Sequence, residues 1–247
     1  MFCLHVSKGT FCNACGEHLY PERASLKNIA QSLPDAIFDI DSGLFYTLRR
    51  LLLKPAKTIR NFFDGDRSRH MNPLKFLMFI SAVYTFLFIY FDIQGAESDM
   101  YDGLTDSATG KMLDDQFIKC QSIINVISLP FLSLTTWIFF GPAKMYYGEH
   151  LLLNAYLTGF SLFFGILLFP ISLMHNGTWW VDANDYLVML LVFIWCTRTY
   201  YGLFYSTSTL NLLFALLKTI AIIVLLAIWQ YITSPFVITL KLLIFGD

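Results

Sequence analysis

A cysteine cluster near the start of the chain has the spacing of half a metal site. Cys12 and Cys15 are separated by two residues, and Cys3 lies shortly before them. Zinc in proteins prefers four tetrahedral thiolate or imidazole ligands, and a cysteine pair at this spacing supplies two of them. His5 and His18 are candidates for a further ligand. We predict a zinc site formed by Cys3, Cys12, Cys15 and His18.

Two other interpretations of the cluster stay open. It could be a degenerate ribbon that no longer holds metal, or a redox pair of the thioredoxin type. The redox interpretation is disfavoured because no βαβ pattern surrounds the pair. Free thiolates persist in reducing compartments, so the head is expected to lie in the cytosol.

The rest of the chain has the composition of a membrane protein. Over all 247 residues, hydrophobic residues make up 56% of the chain and charged residues 14%, whereas soluble domains carry about 25% charged residues. A spanning helix needs about 20 mostly apolar residues. We predict five spans, over about 74–92, 119–141, 150–174, 184–205 and 210–233. Pro235 is expected to end the fifth and to leave a short interfacial or partly buried helix after it.

The distribution of charge predicts the orientation. Eleven of the 17 Lys and Arg residues lie between Lys8 and Lys75, before or at the start of the first span, while the loop after this span is acidic. Basic residues near spans favour the cytosolic side. The N-terminus is therefore expected inside and, after five spans, the C-terminus outside.

An amphipathic segment separates the head from the first span. Apolar residues recur at helical spacing over 26–38 and again over 44–52, where Arg49, Arg50, Lys54 and Lys57 accompany them. Such a segment either lies in the headgroup plane, where basic residues gain from anionic lipid, or packs as a cytosolic helix on the membrane domain. The sequence leaves both interpretations open.

Ionisable residues within spans are costly and often functional. With the N-terminus inside, five polar residues map to the cytosolic half of the spans, namely Glu149, His150, Asn154, Arg198 and Lys218. We predict that they form one polar site, with Glu149 paired to Arg198 or Lys218. The alternative is that they mark the water boundary, snorkel, or satisfy helix ends. Gly141 and Gly159 are interpreted as a helix end and a close helix contact.

Several motifs resemble a known family. Asp41–Leu48, Lys54–Arg60, Gly65–Arg67, Asn72–Pro73 and Tyr147–Leu151 are similar to motifs of the bacterial membrane proteins grouped as domain of unknown function 3667. The resemblance implies a two-knuckle zinc ribbon, an amphipathic linker and a helical membrane domain, but no activity. It also aligns Cys3 with the second cysteine of the first knuckle, so that the first would fall just before Met1.

The expected fold is an all-α membrane protein with a zinc-ribbon-like head (1–20), an amphipathic cytosolic linker (21–72) and a five-helix membrane domain (73–247). The expected location is the bacterial inner membrane, with the lipid bilayer and a cytosolic protein as partners and no nucleic acid. Three functions remain: a scaffold or adaptor whose head docks that partner, a small transporter, channel or lipid-handling protein, and a lipid enzyme. The last is disfavoured because the sequence has no recognisable catalytic set.

The orientation can be tested with alkaline phosphatase fusions, which are active only outside the cytosol. We expect a fusion at Asp106 to be active and one at Lys54 to be inactive, because the positive charge lies before the first span. The reverse pattern of phosphatase activity in whole cells would contradict the predicted orientation.

Overall fold

The computed structural model describes residues 43–65, 67, 69–91, 107–141, 145–174, 179–205 and 209–245. The described residues form seven helices and no strand. The helices are α1 Leu44–Leu53, α2 Pro55–Phe63, α3 Pro73–Tyr90, α4 Ser107–Phe140, α5 Tyr147–Met174, α6 Trp179–Phe204 and α7 Thr209–Phe245. The cysteine head and the amphipathic stretch over 26–38 lie outside the described residues.

Five of the helices are long and apolar enough to cross a membrane, as the sequence predicts. The apolar windows are Pro73–Tyr90, Ile123–Phe140, Tyr147–Leu173, Ala183–Phe204 and Asn211–Leu240. Many large apolar side chains on their outer surfaces are exposed, including Phe86, Ile138 and Leu217. A surface of this kind fits contact with lipid acyl chains rather than with water.

Helix α5 is the centre of the bundle. It contacts α3, α4 and α6, while α7 packs on α4 and α6. Gly159 allows the close approach of α3, because a Cβ atom there would lie 2.8 Å from Phe76 Cδ1 and 3.2 Å from Leu77 Cα. Gly141, at φ 88°, ends α4 in a conformation that favours glycine. Both glycine predictions are therefore confirmed.

The predicted break at Pro235 is wrong. Helix α7 runs without interruption through Pro235 to Phe245, and the segment beyond the proline packs back on α4. Val237 and Ile238 are buried there together with Cys120 and Ile124. A proline removes one backbone donor, but neighbouring helices can compensate for that loss within a membrane domain. Packing along the whole length of α4 thus outweighs the local cost of the proline.

Helix α4 also differs from its predicted bounds. It begins at Ser107, well before the predicted start of the second span, so part of the acidic connection is helical. Residues 107–118 are polar, so a prediction based only on apolar runs assigns them to a loop. A polar helical segment can continue directly into a membrane-spanning helix, because the same pattern of backbone hydrogen bonds runs through both.

Helices α1 and α2 form a compact hairpin, here called the platform (residues 44–63), that packs against one end of the bundle. Leu51, Ile59 and Phe62 are buried in the same core as span residues. The connection to α3 is fixed as well, since Thr47 Oγ1 accepts a hydrogen bond from Met71 N at 2.9 Å. The end of the bundle that carries the platform is called the platform end below.

A proline between α1 and α2 explains how the platform attaches. Pro55 has no N–H, so it cannot donate to the carbonyl of Leu51 four residues earlier. Trp195 on α6 supplies the missing donor, with its Nε1 3.1 Å from Leu51 O. The carbonyl would otherwise be a buried acceptor without a partner, which is costly.

Two arginines reinforce the attachment in opposite directions. Arg198 on α6 donates to the carbonyl of Leu53 at the end of α1, at 3.4 Å. Arg60 on α2 donates to the carbonyls of Gly202 and Leu203 at the end of α6, at 3.1 and 3.4 Å. Cations at helix C-termini satisfy unpaired carbonyls and complement the helix dipole. Each element therefore caps the other.

The indole hydrogen bond can be tested by comparing two tryptophans. Trp195 and Trp229 both stack on a phenylalanine, with ring centroids 4.4 and 4.3 Å apart. The Trp229 Nε1 has no hydrogen-bond partner among the described residues. We expect Trp195→Phe to lower the free energy of unfolding in mixed micelles by about 1–3 kcal/mol more than Trp229→Phe, because only the first leaves a carbonyl unpaired. Equal losses would contradict the proposed attachment.

Candidate functional site

The hydroxyl of Thr136 is the centre of a buried polar network between α4, α5 and α6. It donates to Ser133 O at 3.1 Å and accepts from Asn154 Nδ2 at 2.7 Å. His150 Nδ1 lies 3.2 Å from the same oxygen. The Tyr200 hydroxyl donates to Asn154 Oδ1 at 3.2 Å. All five side chains are buried, so the structure brings two of the predicted site residues, His150 and Asn154, into one network.

Helical spacing places these side chains opposite one another. Ser133 and Thr136 are three residues apart on α4, and His150 and Asn154 are four apart on α5. Residues at these spacings lie on the same face of a helix. The two faces meet because α4 and α5 are neighbours.

The two ring nitrogens of His150 have different surroundings. Nδ1 lies within hydrogen-bond distance of Thr136 Oγ1, whereas Nε2 has no hydrogen-bond partner among the described residues. The imidazole is fully buried and stacks on Phe204, with ring centroids 5.6 Å apart and planes 4° apart.

Lys218 lies beside this network but is not hydrogen-bonded to it. Its Nζ donates to Phe139 O at 2.6 Å, near the end of α4. The ammonium group also lies over the rings of Phe140 and Tyr205, 5.2 and 5.6 Å from their centroids. A cation over aromatic faces and beside the last carbonyls of a helix is stabilised by both.

Glu149 and Arg198 are separate from the network. Glu149 Oε2 accepts from Tyr146 N at 2.9 Å, which satisfies a backbone donor at the start of α5. Arg198 is exposed and donates to Leu53 O. Among the described residues, no ion pair joins Glu149 to Arg198 or Lys218, since each of the three has a backbone partner instead.

Three residues of the network were not predicted from the sequence, namely Ser133, Thr136 and Tyr200. Hydroxyls inside an apolar run usually bond to their own helix, as Ser133 Oγ does to Leu129 O at 2.7 Å, so they attract little notice. Their spacing was the available signal, because two hydroxyls three residues apart form a polar stripe on one helix face.

The hydrogen bonds of the network join α4, α5 and α6 to one another. In the described part of the chain, no group of three His, Cys, Asp or Glu side chains could hold a metal ion. The predicted zinc ligands Cys3, Cys12, Cys15 and His18 lie outside the described residues, so zinc binding stays a prediction. Interhelical hydrogen bonds of this type are a common means of joining membrane helices.

One comparison with known proteins gives a match. The model of the family described as protein of unknown function (DUF3667) matches residues 41–85. The matched part contains the platform and most of α3, and with them four of the motifs that carry the resemblance. The cysteine head and Tyr147–Leu151 lie outside it. No curated protein and no solved structure matches the chain.

Two buried threonines provide a matched test of the network. Thr136 and Thr199 are both fully buried, but the Thr199 hydroxyl bonds only to Trp195 O in its own helix, at 2.8 Å. We expect Thr136→Val to lower the free energy of unfolding in mixed micelles by about 1–2 kcal/mol, because Asn154 and His150 lose a partner.

Thr199→Val serves as the control and is expected to change the free energy of unfolding by less than about 0.5 kcal/mol. The two substitutions have the same volume change. If both variants unfold alike, the network does not hold α4 against α5.

Proposed function

We propose that the protein is a non-enzymatic scaffold or adaptor of the bacterial inner membrane, with a zinc-binding head that docks a cytosolic protein. The proposal places the platform end and the head in or at the cytosol, the C-terminus outside, and zinc on Cys3, Cys12, Cys15 and His18. The helical bundle then serves as anchor and mount.

The attachment of the platform is the observation that carries the proposal. The head is joined to the bundle through the platform, and the platform is fixed by Trp195, Arg198 and Arg60 at the end of α6. The platform is thus a fixed attachment point on the bundle for the sequence that precedes it. A fixed attachment point suits the docking role proposed for the head, because fewer orientations of the platform have to be lost on binding.

The polar residues of the spans support the same interpretation. Asn154 uses both its amide nitrogen and its carbonyl oxygen within the bundle, and Glu149 and Lys218 bond to backbone groups at helix ends. Groups engaged in this way contribute to packing rather than to a pathway for cargo. A bundle with these contacts fits an anchor.

One observation favours a small transporter, channel or lipid-handling protein as the second candidate. Several buried polar atoms have no partner among the described residues, namely Asn125 Nδ2, Ser128 Oγ, His150 Nε2 and Thr197 Oγ1. Buried polar atoms are normally hydrogen-bonded, so water or a polar cargo would be a natural partner.

The adaptor proposal predicts that the head captures a partner. We expect Cys12→Ser combined with Cys15→Ser to release bound zinc and to reduce, by at least about tenfold, the recovery of one specific cytosolic protein after cross-linking in native membranes. Thiolate loss weakens the metal site, and the fold of a small zinc module depends on its metal. Metal content and cross-linked partners are both measured on the full chain.

The buried cysteines of the bundle provide the control. Cys120→Ala with Cys196→Ala removes two thiols that lie in the membrane domain, and it should leave zinc and partner recovery unchanged. Unchanged partner recovery in the head variant would contradict the adaptor proposal.

Substitutions that remove buried polar atoms without a partner distinguish the second candidate, a transporter, channel or lipid-handling protein, from the scaffold. Ser128→Ala and Asn125→Leu should leave the bundle as stable as before or more stable, because such groups gain nothing when buried. If these variants keep partner recovery but fail to complement a deletion strain, the bundle has the transport role and the scaffold interpretation is wrong.

A further inference from the structure

The outer face of α1 exposes large apolar side chains. Phe45 is 81% exposed, Leu52 42% and Leu53 53%, although the opposite face of the same helix is buried. Phe45 and Leu52 are seven residues apart and therefore lie on one side of the helix. Large apolar side chains exposed together on a small hairpin are unfavourable in water and need to be covered.

The position of this face along α6 indicates what covers it. Leu51 bonds to Trp195, Leu53 bonds to Arg198, and a Cβ atom on Gly202 would lie 2.7 Å from Ala56 Cβ. The platform therefore lies beside the last turns of α6, inside the apolar window Ala183–Phe204. From Trp195 to the end of α6 is about 13 Å. The exposed face thus lies beside one end of a helix that is apolar enough to span a membrane.

Positive charge surrounds the same face. Arg49, Lys54, Lys57 and Arg69 are exposed, and in the described part of the chain no carboxylate pairs with them. From 43 to 75 the sequence contains eight Lys and Arg residues but only Asp64 and Asp66 as acids. Arg60 is already engaged with the end of α6. Arg49, Lys54, Lys57 and Arg69 are therefore available to bind anions from outside the described part of the chain.

We propose that the outer face of the platform is a binding site for anionic phospholipids of the leaflet in which it lies. The phosphate groups would bind Arg49, Lys54 and Lys57, and the acyl chains would cover Phe45, Leu52 and Leu53. Guanidinium and ammonium groups bind phosphate strongly, and apolar side chains next to them select an amphiphile over a free anion. This site does not depend on the zinc-binding head.

Lipid retention measured by native mass spectrometry tests the proposal. The full-length protein is purified in detergent and mixed with equal amounts of phosphatidylglycerol and phosphatidylcholine, and the retained lipids are counted. We expect the wild type to prefer phosphatidylglycerol. Because each basic residue at an anionic surface contributes roughly fivefold, Arg49→Gln with Lys54→Gln and Lys57→Gln should lower that preference by roughly tenfold or more.

Two controls separate charge at the platform from charge in general. The variant with Arg49→Lys, Lys54→Arg and Lys57→Arg keeps the charges and should keep the preference. The variant with Lys8→Gln, Arg23→Gln and Lys27→Gln loses the same charge elsewhere and should also keep it. Raising the salt concentration to about 1 M should reduce the preference of the wild type, since exposed charges are screened.

Three results would overturn the proposal. The first is a wild type that retains both lipids equally, and the second is a triple glutamine variant with an undiminished preference. The third is a triple glutamine variant that no longer cross-links to an acidic protein but retains the same lipids as the wild type. That result would make the platform a protein-docking surface. The salt series on the wild type decides the question even if the glutamine variant does not fold.

Discussion

The carbonyl oxygens at the end of α1 impose the strictest constraint on this protein. A helix end leaves its last carbonyls without partners, and Pro55 extends that deficit to Leu51. Water would satisfy them at a surface, but this helix end is packed against α6 at the depth of a span. The indole of Trp195 and the guanidinium of Arg198 take the place of water. The two bonds fix the position of the platform on α6, because both donors reach the same end of α1.

The same rule organises the interior of the bundle. Thr136, Asn154 and Tyr200 bond across three helices, and Lys218 satisfies a carbonyl near the end of α4. In an apolar medium each polar group must find a partner within the protein. Thr136, Asn154, Tyr200 and Lys218 therefore join helices to one another. The buried polar atoms that have no partner in the described region, such as His150 Nε2, are the places where chemistry beyond packing is to be sought.

The spans can be predicted from the sequence because the hydrophobicity of successive residues adds up along each run. A run of about 20 apolar residues has only one favourable environment, so five such runs gave five helices near the expected bounds. The sequence fails at Pro235, where packing on Ile124 and Cys120 outweighs a local breaker, and at Ser107, where polar residues continue a helix. The sequence identifies His150 and Asn154 as candidate site residues but not Thr136. A hydroxyl in an apolar run can bond to its own helix, so its sequence context does not indicate which other helix it will contact. Long-range pairings of this kind depend on which helix faces come together.

The bond between Trp195 and Leu51 has a consequence for the order of assembly during synthesis. The two residues are 144 positions apart in the chain, and ribosomes add about 5–20 residues per second with the N-terminus first. The partner helix is therefore made roughly seven to thirty seconds after the platform. Until then the carbonyls at the end of α1 lack the donors that α6 supplies, and water has to satisfy them. The hairpin can take its place in the buried core only after the fourth span has been synthesised.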